Sequence, residues 1–450
     1  MSTPTQHNRI PSLRLLAAAT ALALALPATA LAQSEREAEL EQRVAELERM
    51  VRSLIEQQAS QPEPVPAPQP EVANPVQRTN IVGASPPGTT FGYGGFIKAN
   101  STVSNYTDGN PAPGSVGRDF YLPGAIPVAG VGPVADPGSG PVYDAHAKQS
   151  RFWLTTDTVL ESGDRLGTRF EMDFAVPAGG DERNTNTYTP VIRRAYFTFN
   201  NWLFGQEWSN FMELGALPES TDFIGPTEGI VFVRQAQVRY TNGPWSVAIE
   251  NPETTLVPFG GGARIVTDQN QIPDLTVRYR HTADWGLLAV SGVARQLRRD
   301  VPGQSSSDEF GYGLNVTSRI NFGANDLRLM ATYGSGIGRY LGLNYFEDGV
   351  LDASGRIDAL DVFATYLAYR HVWTGTWRSN FILGYTSADN PATLTGPGAN
   401  AKASSFRVNL MWSPVPRLDF GVEASHAVRE VEDGRRGELS RLDFMGRYSF

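Results

Sequence analysis

Beyond residue 91 the chain is divided by two kinds of connection that alternate without exception. Short ones fall at 161–164, 200–201, 241–244, 281–284, 321–326, 374–376 and 413–417. Longer, polar, Gly- and Pro-rich ones fall near 104–148, 177–190, 209–229, 251–273, 298–308, 335–358, 387–402 and 429–437. Seven short turns alternating with eight long loops demand sixteen antiparallel strands with both chain ends on the short-turn side. A soluble sandwich does not sort its loops by length, and sixteen strands is the size at which a closed barrel leaves an aqueous channel.

The segments between these connections have the period of strands. Leu166, Thr168, Phe170, Met172, Phe174 and Val176 share one face, and Arg169, Glu171 and Asp173 share the other. Phe310, Tyr312, Leu314, Val316 and Ile320 likewise oppose Asn315, Thr317 and Arg319. Trp377, Phe381, Leu383 and Tyr385 oppose Arg378 and Asn380, and Phe406, Val408, Leu410 and Trp412 oppose Arg407 and Asn409. Alternation alone fits a sandwich with a dry interior as well as a membrane barrel with apolar residues facing lipid. The sorted loops favour the barrel, which places the charged face toward a wet lumen. Trp202, Trp245, Trp285, Trp377 and Trp412 mostly lie within a few residues of a short turn, as interfacial anchors do. The last strand puts Leu442, Phe444, Tyr448 and the terminal Phe450 on one face.

Upstream of the strands the composition changes three times. Arg9 and Arg14 precede an apolar run that ends in small residues at Ala30 and Ala32, which reads as a signal peptide over 1–32. After it no apolar run approaches the ~20 residues that a spanning helix needs, so a mature chain that crosses a membrane must do so as closed strands. Residues 33–58 carry Leu40, Val44, Leu47, Val51 and Leu54 at alternating spacings of four and three, the seam of a short coiled-coil helix. Val at one seam position and Leu at the other lean toward two strands. A solvated helix packed on its own barrel is the plainer alternative. Residues 59–90 hold prolines at 62, 64, 66, 68, 70 and 75 and read as an extended spacer.

Several function classes drop out. The net charge is -9 with 19% charged residues, so no nucleic-acid footprint is present. Zero cysteines remove disulfides, thiolate metal sites and cysteine nucleophiles together. His146, His281, His371 and His426 are scattered, with no spacing that suggests a metal, and no catalytic set emerges. We therefore expect neither an enzyme nor a cofactor.

One stretch breaks the strand pattern. Residues 204–226 combine aromatics, carboxylates and prolines in a segment too irregular for a strand, and we read them as a loop folded into the bore. Glu213, Glu219, Asp222 and Glu228 then face wall arginines across a narrow aqueous gap, sorting solutes by charge and size. The wall candidates are Arg151, Arg169, Arg194, Arg239, Arg278, Arg280, Arg319, Arg378 and Arg407, because guanidinium is always charged and grips a carboxylate with two parallel hydrogen bonds. Some of these simply pair with Glu171, Asp173 or Glu250. Trp208, Phe211 and Phe223 either stack on an aromatic acid or brace the loop.

These pieces together resemble the DcaP-like family of trimeric outer-membrane porins. The resemblance rests on the N-terminal heptads with their Pro-rich spacer, the first strand FGYGGFIKAN at 91–100, GQEWSNFMELGALPESTDFIGP at 205–226 and VRQAQVRYTNGPWSVAIENPETT at 233–255. It implies a sixteen-stranded homotrimer over 91–450 in the bacterial outer membrane, against outer-membrane lipid, with a periplasmic coiled coil. It also implies passage of small anionic organic solutes such as aromatic or aliphatic dicarboxylates. Three strands for the coil is thus what the resemblance implies, against the two that the heptads favour. The alternatives are a non-selective diffusion porin and a structural tether acting through the N-terminal helix.

Overall fold

The computed structural model describes residues 42–46, 48–50, 52–53, 88–132, 140–175, 188–303 and 306–450. The chain divides into two units, 1–85 and 86–450. In the first unit the described residues are helical and exposed, Val44 among them. Leu40, Leu47, Val51 and Leu54 lie outside the described residues, as does Val176.

In the second unit the strands are, in chain order, β1 (Thr89–Tyr106), β2 (Val142–His146), β3 (Arg151–Val159), β4 (Arg165–Asp173), β5 (Val191–Phe199), β6 (Trp202–Trp208), β7 (Arg234–Asn242) and β8 (Trp245–Glu250). They continue as β9 (Thr254–Val257), β10 (Ile265–Thr267), β11 (Asp274–Ala283), β12 (Gly286–Arg299), β13 (Ser307–Phe322) and β14 (Asn325–Ser335). The last are β15 (Gly349–Leu351), β16 (Ile357–Ala359), β17 (Asp361–Val372), β18 (Trp377–Asp389), β19 (Asn400–Val415), β20 (Leu418–Val431) and β21 (Arg436–Ser449).

β1 closes the barrel. One edge pairs with β21 from Phe96↔Ser449 to Tyr106↔Leu439. The other pairs with β3 along Thr89 to Phe96 and with β2 along Asn100 to Ser104. β2 and β3 are therefore one stave interrupted by the turn at 147–150. The small strands β9, β10, β15 and β16 form a separate four-stranded sheet built from two long loops. The remaining strands pair in succession, and the result is a closed barrel of sixteen antiparallel staves. All seven short connections fall where the alternation of loop lengths puts them.

The outer face is apolar, as expected for a barrel in lipid. Leu383 is 52% and Trp412 38% exposed, while Asn380 and Asn409 on the same strands point inward and are buried. Leu442, Phe444, Tyr448 and Phe450 are all exposed on the outside. Tryptophans 202, 245, 285 and 377 sit beside short turns, and Trp377, Trp412 and Phe420 stack in a row with centroids 5.6 Å apart.

The interior is not uniformly wet. Phe211, Met212, Ile230 and Val231 of the inserted segment pack with Val293 of β12, Met330 of β14, Val362, Ala364 and Tyr366 of β17 and Ala403 of β19. A dry core thus lies inside the cylinder on one side. Its wall partners are the inward-facing apolar residues of strands whose outer face is also apolar. Burying such residues against the loop removes the cost of exposing them to lumen water.

Candidate functional site: the loop inside the barrel

The segment between β6 and β7 leaves the wall at Trp208 and returns at Val233, where Ser209 N donates to Val233 O over 3.0 Å. Between these points it runs along the inner wall, and polar side chains hold it in sequence. Arg239 of β7 donates to Trp208 O. Arg278 of β11 reaches Met212 O at 2.8 Å, and Ser291 of β12 reaches Phe211 O at 2.8 Å. Arg319 of β13 reaches Gly215 O at 3.2 Å, Tyr366 of β17 reaches Ala216 O at 2.8 Å, and Arg328 of β14 reaches Leu217 O. Further round, Asn409 of β19 takes Glu219 O at 2.9 Å, and Lys98 of β1 takes Thr221 O at 2.7 Å. Loop carbonyls have no ladder partner of their own, so arginine forks from the wall supply it.

The loop's carboxylates do not face these arginines across a gap, as the sequence reading expected. Glu213 lies 3.2 Å from Arg280 and 3.7 Å from Arg278, and Glu219 is gripped bidentately by Arg378. Each arginine is long enough to close the distance, and direct pairing offsets the cost of desolvating both charges. Asp222 and Glu228 are buried instead of lining water. Asp222 accepts from Tyr121 N at 2.8 Å and from Ile224 N and Gly225 N, which fixes the tip of the loop. Glu228 accepts from Ser405 of β19, and burial pushes its carboxyl above the ordinary carboxylate range. The return leg lies flat on the wall because glycines stand at the contact. A Cβ on Gly229 would lie 2.2 Å from Thr365 O, and one on Gly384 would lie 2.2 Å from Glu228 Oε1.

Arg407 is fully buried behind the loop, 3.3 Å from Glu423 and 4.3 Å from the Tyr121 ring centroid. It braces the wall and has no access to solute. Phe211 is buried edge-on to Tyr340, with centroids 5.7 Å apart. Trp208 and Phe223 instead flank one guanidinium, that of Arg193, at 5.6 and 5.4 Å.

None of these loop hydrogen bonds lands on β3, β4 or β5, where a second group of charges lies. Arg169 pairs with Glu171 at 2.6 Å, Arg151 with Asp173 at 3.3 Å, and Arg194 with Glu207 and Glu171. The side chains of Arg151, Arg169 and Arg194 keep about a fifth of their surface accessible, at 22%, 22% and 19%. Arg193 was not foreseen, because strict alternation places it on the lipid face when Arg194 points inward. A register shift between Glu171 and Met172 against β5 sets Arg194 opposite Glu171 and Ile192 opposite Met172, so Arg193 is the extra residue of a β-bulge. Both arginines then point inward, and Arg193 bonds Glu171 at 3.1 Å and Asp173 at 2.6 Å. The pair of adjacent arginines in a strand facing lipid is the sequence signal for that bulge. Arg234, the first residue of β7, was missed for the same reason of parity; its guanidinium lies 5.0 Å from the Trp208 ring centroid.

A sixteen-stave barrel with an apolar outside, a charged inside and a loop folded into its bore is an outer-membrane channel of the porin type. The chain belongs to the DcaP outer membrane protein family, whose model matches residues 140–450. It is similar to the outer membrane channel DcaP of Acinetobacter baumannii, with 24% identity and a TM-score of 0.67 over 81% of this chain and 99% of that one. It is also similar to OmpT of Vibrio cholerae (9% identity, TM-score 0.48, 81% and 98% covered) and to an anion-selective porin from Comamonas acidovorans (10%, 0.47, 80% and 100%). No curated protein matches it in sequence.

Proposed function

We propose that this channel passes small hydrophilic solutes by diffusion, with a preference for anions such as dicarboxylic or aromatic acids. The observation that carries this reading is an excess of guanidinium on the inner wall. On β3–β5 and the head of β7, Arg151, Arg169, Arg193, Arg194 and Arg234 stand around three carboxylates, Glu171, Asp173 and Glu207. Along the loop the charges come closer to balance: Arg239, Arg278, Arg280, Arg319, Arg328, Arg370, Arg378 and Arg447 stand with Glu213, Glu219, Asp326 and Asp419. The loop's Asp222 and Glu228 and the wall's Glu250 and Glu423 add buried carboxylates, so the excess lies on the β3–β5 side. The chain as a whole carries -9, so the positive field is local to the bore. Low-dielectric walls focus such a field and raise the local concentration of anions. The side on β12–β19 is filled by the dry core, which leaves the β3–β5 wall as the lining of the passage.

The test is the reversal potential of the reconstituted channel in a KCl gradient. It takes the sign of chloride preference, and the Arg169→Ala, Arg194→Ala double variant moves it at least halfway to zero. A wild-type potential of zero leaves a general diffusion porin instead. We further propose that the protein works as a homotrimer, with 1–32 removed, 33–58 as a periplasmic coiled coil, and 59–90 as its spacer. Deleting residues 34–75 is expected to leave solute flux per barrel unchanged while lowering the denaturant concentration at which trimers dissociate. Loss of flux on that deletion contradicts the assignment of transport to the barrel alone.

A further inference from the structure

We propose that Arg234 is a subsite for the carboxylate of a passing solute, an inference that rests on the anion-preferring reading above. Every other arginine in the two wall groups has an acceptor. Arg234 makes no hydrogen bond or ion pair with any described residue, and its Nη1 is buried with no partner. The carboxylates nearest to it are already taken. Glu171 is shared by Arg151, Arg169, Arg193 and Arg194, and Asp173 by Arg151 and Arg193. A guanidinium is not deprotonated in proteins, so its charge and its unpartnered Nη1 await an anion from outside the chain.

The site is built, not a loose surface charge. The guanidinium lies 5.0 Å from the centroid of Trp208, and Arg193 sits 5.6 Å from the same ring. Phe232 packs edge-on against that indole with centroids 4.7 Å apart, so the platform beneath Arg234 does not move freely. Arg234 pairs in register with Trp208 at the point where the inserted loop rejoins the wall. Beside it the backbone pairing of β5 with β6 stops at Ala195↔Gln206, and the Gln206 side chain bridges to Ile192 O and Arg193 O, so the strand heads next to the guanidinium are fixed. The half-buried side chain is held in place before the solute arrives, and a planar carboxylate meets two parallel N–H donors.

The experiment is block of the single-channel KCl current by succinate and by benzoate, with glucose as the neutral control. In the wild-type channel both carboxylates reduce the current in a dose-dependent way and glucose does not. Arg234→Gln is expected to raise the blocking concentration about tenfold, the loss of one charge-assisted pair, while the sign of the KCl reversal potential is kept. Arg234→Lys recovers part of the block, because ammonium keeps the charge and lacks the fork. Heat-shifted migration on gels checks that each variant folds. An anion-preferring wild type whose block is unchanged in Arg234→Gln overturns the assignment and leaves the anion reading standing. A wild type with no anion preference overturns both. Unchanged block per barrel together with loss of trimers in Arg234→Gln also overturns it, since the missing counter-charge then belongs to another copy of the chain.

Discussion

Replacing Arg278, Arg319 and Arg328 together with Met releases the outgoing leg of the inserted loop and turns a steady current into a flickering one. These three guanidiniums hold the carbonyls of Met212, Gly215 and Leu217 from three different strands. A hydrogen bond to a charged group contributes about 1.5–3 kcal/mol, so losing all three is large against the marginal stability of any single loop. Met fills a similar volume without supplying a donor, which leaves the buried Met212 carbonyl and the half-buried Gly215 and Leu217 carbonyls without their protein partner. The barrel ladder is untouched, so the variant still folds. Protease added from either side is expected to cut within 209–221 in the variant and not in the wild type, and the variance of the open-channel current rises several-fold. Unchanged noise and unchanged protection mean that the apolar core alone keeps the loop in place.

The second large effect concerns the long loops. Arg295 of β12 is fully buried, 3.4 Å from Asp274 and 2.9 Å from Asp348, and it also donates to Gly336 O and Glu253 O. Asp348 in turn accepts from Arg339 N, from Thr255 N and from the Thr255 hydroxyl, and Asp274 accepts from the Tyr340 hydroxyl at 2.8 Å. One side chain therefore ties the wall to the start of the 251–273 loop and to the start and the middle of the 336–360 loop. Arg295→Ala leaves the buried Asp348 without its cation and Asp274 with Arg339 alone, a loss of about 3–5 kcal/mol for this kind of site. The small sheet of β9, β10, β15 and β16 is expected to become protease-sensitive, and the urea midpoint for unfolding falls. Arg295→Lys recovers little, because an ammonium does not reach four acceptors in different directions. A midpoint and a cleavage pattern equal to those of wild type contradict this role.

Reading the chain alone places the staves correctly because the two signals behind them are local. Period-two alternation follows from strand geometry, and the contrast of short and long connections follows from which end of the barrel faces the periplasm. The charged face is also legible, since an inverted register carries arginines such as Arg319 and Arg378 into lipid. What alternation does not carry is a bulge. Arg193 turns inward through one extra residue opposite β4, and Arg234 sits at a strand head where the ladder ends. Loop contacts are set by tertiary packing, so Glu213 and Glu219 pair directly with arginines expected to stand apart from them. The dry side of the lumen does leave a trace in the strands. β17 reads DVFATYLAYRHV, with Val362, Ala364, Tyr366 and Ala368 buried inside while Phe363, Leu367 and Tyr369 face out. A strand apolar on both faces in an otherwise alternating barrel marks where a loop lies against the wall.

We place the passage between the inserted loop and the β3–β5 wall, and the absence of cysteine from the chain allows a direct measurement. Tyr196 lies on that wall, with its hydroxyl 3.4 Å from Arg194, whereas Ala364 is buried behind the loop on β17. A negatively charged thiol reagent is added to single-cysteine variants at the two positions during current recording. We expect rapid, stepwise loss of conductance for Tyr196→Cys and none for Ala364→Cys. Rapid block at Ala364→Cys with none at Tyr196→Cys places the passage on the other side of the loop and contradicts the account.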